Sequence, residues 1–144
     1  MESSFFDTSV LVSAMVTSHS AHHRTFPYFE RVFQKIDKGF ISSHCVAELY
    51  AVLTVLPIKP KLSPLEVEKI LEKNIYPNFE IIFLSPKDYK NAVRRVSELH
   101  LSGGILYDSL HIEAAVKSGA EKLITLNHIH FEKLAGKTIR VVGV

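Results

Sequence analysis

A chain of 144 residues is long enough for one domain with a real core and too short for two comfortable ones. Hydrophobic residues make up 47% and charged residues 22%, which excludes a disordered chain, and no apolar run approaches the roughly 18 residues of a membrane span. A net charge of +2 admits an acidic partner such as nucleic acid without demanding one.

Ser3 to Phe6 reads as a short strand ending at Asp7, with the hydroxyls of Thr8 and Ser9 ahead of the apolar segment Val10 to Val16. An acid where a strand hands over to the next element lies at the carboxyl edge of a sheet, where open α/β folds bind ligands. Asp7 or Ser9 also suits a helix cap, and a capping acid can hold a cation as well. His19, His22 and His23 head a helix expected over Ala21 to Asp37, with Phe26, Phe29, Val32, Phe33 and Ile36 as its apolar stripe. Their spacing would suit a metal, although helix-start histidines are more often simply exposed. No basic region precedes an apolar stretch near residue 1, so no export signal is expected.

Phe40 and Ile41 read as a second strand, and Ser42 or Ser43 caps a helix over His44 to Leu56. The lone cysteine, Cys45, excludes an internal disulfide framework and cannot bind zinc by itself, so a reducing, cytoplasmic setting is expected. Glu48 shares a helix face with Ala51, Val52 and Val55, as a metal ligand or as the partner of a core lysine or arginine. Ser63, Pro64 and Glu66 start a helix striped by Val67, Ile70, Leu71 and Ile75. Phe79 to Leu84 is a continuous apolar run of the kind buried on both faces. Ser85, Pro86 and Asp88 start a helix turning Tyr89, Ala92, Val93 and Val96 inward.

Two glycines, Gly103 and Gly104, precede a helix beginning near Leu106 that Gly119 closes. Asp108 lies on that helix above Ile112 and Ala115, a face that otherwise buries itself. Burying an ionised acid without a partner is costly, though the helix dipole favours an acid in the first turn. Leu123 to Leu126 reads as a strand whose end is crowded by Thr125, Asn127, His128 and His130, and Thr138 to Val142 as the last strand. Short strands alternating with amphipathic helices, without tight hairpin signals, predict a parallel sheet covered on both sides.

If Asp7, Glu48 and Asp108 converge, each pair at about 4 Å repels by roughly 4 kcal/mol at an effective dielectric of 20. Three such pairs approach the stability of a whole domain, so either the acids are protonated or a cation sits among them. Oxygen ligands without a cysteine cluster select Mg²⁺ or Mn²⁺ over zinc.

These residues carry a resemblance to PIN-domain ribonucleases, including the toxin component of VapBC-type toxin-antitoxin pairs. It rests on FFDTSVLVSA around Asp7, SSHCVAELYAVL around Glu48 and LYDSLHIEAAVKSGAEKLITLNHIHF around Asp108. The resemblance implies one nuclease domain over residues 1–144, a three-layer α/β/α sandwich around a parallel sheet, and Mg²⁺- or Mn²⁺-dependent hydrolysis of RNA. It casts Asp7, Glu48 and Asp108 as metal ligands and Ser9 and Thr125 as polar lining of the same pocket. It also implies a homodimer and a small antitoxin whose tail enters the site. One position departs: where many members carry a fourth acid before a phenylalanine, this chain has His130 before Phe131. A neutral imidazole suits Mg²⁺ poorly, so His130 is read as a phosphate contact, a proton donor to the leaving oxygen, or a packing residue. Asn127 belongs to the ligand shell or to a turn, and His111, one turn after Asp108, is assigned to the core.

Two further functions compete with the nuclease. A non-catalytic PIN-like module would bind RNA or a protein partner without cutting, which the missing fourth acid would suit. A phosphotransfer domain would want a second acid beside Asp7, where Thr8 and Ser9 stand instead.

Overall fold

The computed structural model describes residues 1–144 and holds a five-stranded, all-parallel sheet with helices on both faces. The elements run β1 Ser3–Phe6, α1 Thr8–Met15, α2 His22–Phe33, β2 Lys38–Ser42, α3 Ser43–Leu53, α4 Pro64–Ile70, β3 Phe79–Ile82, α5 Pro86–Glu98, α6 Ile105–Ser118, β4 Lys122–Thr125, α7 His128–Ala135 and β5 Arg140–Gly143. A π-helical turn, Leu71–Ile75, carries α4 onward to Tyr76. The strands lie in the order β3-β2-β1-β4-β5, with β1 central, as the alternating pattern predicts.

Consecutive side chains of a strand point to opposite faces, and here both faces are covered. Phe6, Ile41 and Ile124 enter one core beneath α1, α2 and α3, while Phe5, Phe40 and Leu123 enter a second beneath α5, α6 and α7. That two-sided burial is why β1, β2 and β4 each carry adjacent apolar residues, Phe5-Phe6, Phe40-Ile41 and Leu123-Ile124, instead of alternating apolar and polar ones. Gly39 in β2 is required by packing: a Cβ there would stand 2.7 Å from the Phe79 ring and 2.8 Å from Val32.

Helix ends follow the cap signals. Ser42 accepts the Cys45 amide at 3.0 Å, and Ser63 accepts that of Glu66 at 3.2 Å. Ser85 and Asp88 form a reciprocal capping box at the helix start expected from Ser85, Pro86 and Asp88. Gly119 closes α6 at φ +73°, a left-handed conformation that favours glycine.

Several expectations need correction. The Phe79 to Leu84 run is not buried on both faces: β3 is an edge strand, Glu80 points out and Phe83 is 73% exposed. The α2 stripe is only half covered, since Phe29 and Val32 are buried while Phe33 is 48% exposed and Phe26 and Ile36 are also exposed. On α5, Ala92 and Val96 face inward but Tyr89 and Val93 do not. On α3 the buried face is Cys45, Leu49 and Leu53, so Ala51, Val52 and Val55 share an exposed side with Glu48 at its margin. Residues expected as a strand end after Asn127 form an additional helix, α7, whose Phe131, Leu134 and Ala135 fill the second core.

Candidate active site

The connections out of β1 diverge, β2 lying on one side and β4 on the other, and at such a switch point the carboxyl ends of neighbouring strands open a crevice. Asp7 directly follows β1, and its amide extends the ladder by donating to the Ile124 carbonyl at 3.1 Å. It occupies the N-cap position of α1, yet its side chain caps nothing. Instead Oδ2 accepts from Ser9 Oγ at 2.7 Å and from Thr125 Oγ1 at 2.9 Å, while Thr125 Oγ1 accepts the Asn127 amide at 2.9 Å. Thr125 is the last residue of β4, so two adjacent strand ends fix one carboxylate, which is 5% exposed.

Glu48 arrives from the second turn of α3. Its Oε1 lies 2.6 Å from His111 Nε2, 3.1 Å from Thr8 Oγ1 and 3.6 Å from His44 Nε2. His111, 1% exposed, also contacts Ser42 Oγ through Nδ1 at 2.9 Å, and its Nε2 stands 4.0 Å from Asp7 Oδ1. Ser42 thus links the cap of α3 to the ring that holds Glu48. Burial alone would drive the His111 pKa down, but the hydrogen bond it donates to Glu48 and the charges of Asp7, Glu48 and Asp108 outweigh it and raise it. Burial likewise pushes Glu48 up, and His111, His44 and Thr8 more than reverse this. The two shifts agree in direction, each group favouring the charged form of the other across the 2.6 Å contact.

Asp108, in the first turn of α6, has no such partner. Burial, reinforced by the charges of Asp7 and Glu48, pushes its carboxyl up to about 6, with His111 and His130 opposing. Asp7, Thr8, Ser9, Glu48, Asp108, Asn127 and His19 line one open cleft of about 290 Å³. The cleft wall contains no lysine or arginine. Cys45, beneath it, is buried with its thiol pushed well up by burial, so it is no nucleophile.

The structure therefore gathers Asp7, Glu48 and Asp108 with Ser9, Thr125 and Asn127. Every group is oxygen-bearing, which suits a hard cation, and the raised Asp108 pKa shows the strain a cation would relieve. The three carboxylates do not form a ready-made cage: no three His, Cys, Asp or Glu side chains stand close enough to hold an ion as they are. Glu48 is turned toward His111 instead. His130 is exposed on α7 in the neighbouring hollow with Asn127 and His128. His19, His22 and His23 do not assemble a second centre; His22 Nδ1 is engaged with the Ser13 carbonyl at 3.0 Å, and His19 lies in the loop before α2, against the acid cleft. His111, for which the core was the favoured of two places, is buried and yet holds Glu48, and His19 lines the cleft without forming a metal centre with His22 and His23. The spacing of His111 from Asp108 was visible, but its partner Glu48 is 63 residues away along the chain.

Known proteins resemble this chain over most of its length. Ribonuclease VapC27 of Mycobacterium tuberculosis is 28% identical over 115 residues, 80% of this chain and 78% of that protein. VapBC2 from Rickettsia felis, solved bound to a DNA fragment from their promoter, superposes with a TM-score of 0.66 at 20% identity, covering 99% of this chain and 98% of the other. FitAcB from Neisseria gonorrhoeae gives a TM-score of 0.71 at 16% identity, covering 97% and 96%. The PIN domain model matches residues 4–137, nearly the whole length, and with the acid-lined cleft at the sheet's switch point the chain belongs to the PIN-domain family.

Proposed function

We propose that this protein is an endoribonuclease that hydrolyses RNA phosphodiester bonds with Mg²⁺ or Mn²⁺, acting in the cytoplasm as the toxin of a toxin-antitoxin pair. The observation that carries the reading is the convergence of Asp7, Glu48 and Asp108 from three separate elements on one cleft. A relative named as a ribonuclease and neighbours solved as VapBC-type assemblies support it.

Asp7 and Asp108 would hold the cation, with Glu48 reaching it directly or through water. When bound, such an ion lowers the pKa of a water and screens the charge of a phosphodiester. The chain's own contribution is orientation. Ser9 and Thr125 occupy Oδ2 of Asp7, which leaves Oδ1, 4.0 Å from His111 Nε2, without a hydrogen-bond donor. His111 fixes the Glu48 carboxylate and keeps it ionised. Asn127 and the exposed His130, at the rim, are the groups for phosphate contact or for protonating the leaving oxygen. The products would be a 5′-phosphate and a 3′-hydroxyl. A small antitoxin inserting into the cleft and a homodimer complete the proposal.

Incubation of the protein with structured RNA and Mn²⁺, beside Asp7→Asn, tests it. Cleavage by the parent alone is expected, and equal cleavage by both would defeat it. The absence of a preformed cage around Glu48 favours one second reading, a non-catalytic module that binds RNA or protein. Calorimetric titration separates the two, because the module predicts no Mn²⁺ binding at millimolar concentration.

A further inference from the structure

At the border of the cleft two rings stack in parallel without belonging to either core. His44, in the first turn of α3, precedes Glu48 by one helical turn, and Tyr107, in the first turn of α6, immediately precedes Asp108. Their ring centroids are 4.9 Å apart and their planes 11° from parallel. Tyr107 is nonetheless 48% exposed. A tyrosine placed only to join two helices would bury its ring. This one is stacked on His44 yet stays about half in solvent, one residue from Asp108 and against the ring that approaches Glu48 at 3.6 Å.

The wall of the cleft has no lysine or arginine to grip phosphates, so contact with a base would add to what Asn127 and His130 supply. Resting on the ribonuclease reading above, we propose that Tyr107, backed by His44, is a stacking platform for an unpaired RNA base next to the bond to be cut. Such a platform needs an unpaired base beside the cleavage site, since a base inside a duplex cannot reach the ring. Stacking of this kind is tolerant of base identity and strong enough to matter. His44 pre-organises the tyrosine, reducing the freedom lost on binding.

The test uses the full chain in EDTA, where no turnover is expected, with an RNA hairpin carrying 2-aminopurine in its loop and a duplex of matched length. The parent and Tyr107→Phe should bind the hairpin and change the loop fluorescence alike. Tyr107→Leu keeps apolar bulk between α3 and α6 but offers no π face; it should bind the hairpin on the order of 10-fold or more weakly and lose the fluorescence change. Duplex binding should be equal for all three, and their melting temperatures should agree. Hairpin binding by Tyr107→Leu with unchanged affinity and fluorescence would overturn the platform, even if the parent cleaves RNA with Mn²⁺. A Tyr107-dependent fluorescence change without Mn²⁺-dependent cleavage would sustain the platform and remove the nuclease. Failure of the parent to bind the hairpin at all would remove the platform directly.

Discussion

The unpartnered state of Asp108 makes Asp108→Asn a substitution that should stabilise the metal-free protein while destroying its proposed activity. Asparagine keeps the shape of the side chain and removes the charge. The carboxyl rises from its ordinary 3.8 to about 6 because it is buried and faces Asp7 and Glu48. Such a rise corresponds at full strength to about 3 kcal/mol. The carboxylate is only partly buried, and solvent screening reduces the effect to roughly 1–2 kcal/mol. A carboxyl with a higher pKa folded than unfolded favours the fold below pH 3.8 and withdraws that contribution as pH rises through about 6. At pH 7.5 the withdrawal is complete, so the asparagine variant should be the more stable there. The difference should shrink as pH falls and be nearly gone at pH 4.

Urea unfolding in EDTA at pH 7.5, 6 and 4.5 measures this directly. Adding Mn²⁺ should then raise the stability of the parent and not that of Asp108→Asn, because only a state that binds the ion gains from it. An asparagine variant equal to or weaker than the parent at pH 7.5 in EDTA would refute the electrostatic reasoning. So would a stability gain that stayed constant with pH.

Three other outcomes follow from the same contacts. Thr125→Val removes the hydroxyl that binds Asp7 Oδ2 and accepts the Asn127 amide, and should cost about 1–3 kcal/mol in urea unfolding while lowering RNA cleavage. Arg95→Met leaves Glu113, which Arg95 meets at 2.7 Å between α5 and α6, without its partner; a loss of roughly 3 kcal/mol by thermal unfolding is expected, with Mn²⁺ affinity unchanged. Gly39→Ala forces a methyl group to 2.7 Å from the Phe79 ring and should destabilise by about 1–3 kcal/mol in the same assay.

What could be read from the chain alone was local. The helix bearing Asp108 was legible because its apolar positions recur with helical period and a glycine follows at the left-handed stop. The central strands were legible because burial on both faces leaves adjacent apolar residues in place of an alternation. The same rule misled at Phe79 to Leu84, where Glu80 inside the run was the sign of an edge. Helix α7 was overlooked although Phe131, Leu134 and Ala135 have helical spacing and Gly136 follows, because eight residues beginning with three of His and Ile look like the tail of β4. Glu48 was credited with a possible basic core partner, and the partner is a histidine assigned to the core on its own. Pairings of this kind depend on how α3 and α6 cross, which no periodicity records.

The three acids show why the cleft suits a cation without being shaped around one. Each copes with its neighbours differently. Asp7 lies at the junction of two strands, where neutral hydroxyls on β4 and α1 can satisfy one oxygen and leave the other free. Glu48 sits on a helix margin and takes the only buried histidine in reach. Asp108, facing both, is left with the repulsion, and its pKa rises. A positive charge entering the cleft would therefore gain most at Asp108 and least at Glu48, whose charge His111 already balances. That inequality, set by one imidazole, is the reason the proposal above gives Asp7 and Asp108 the principal places and Glu48 the supporting one.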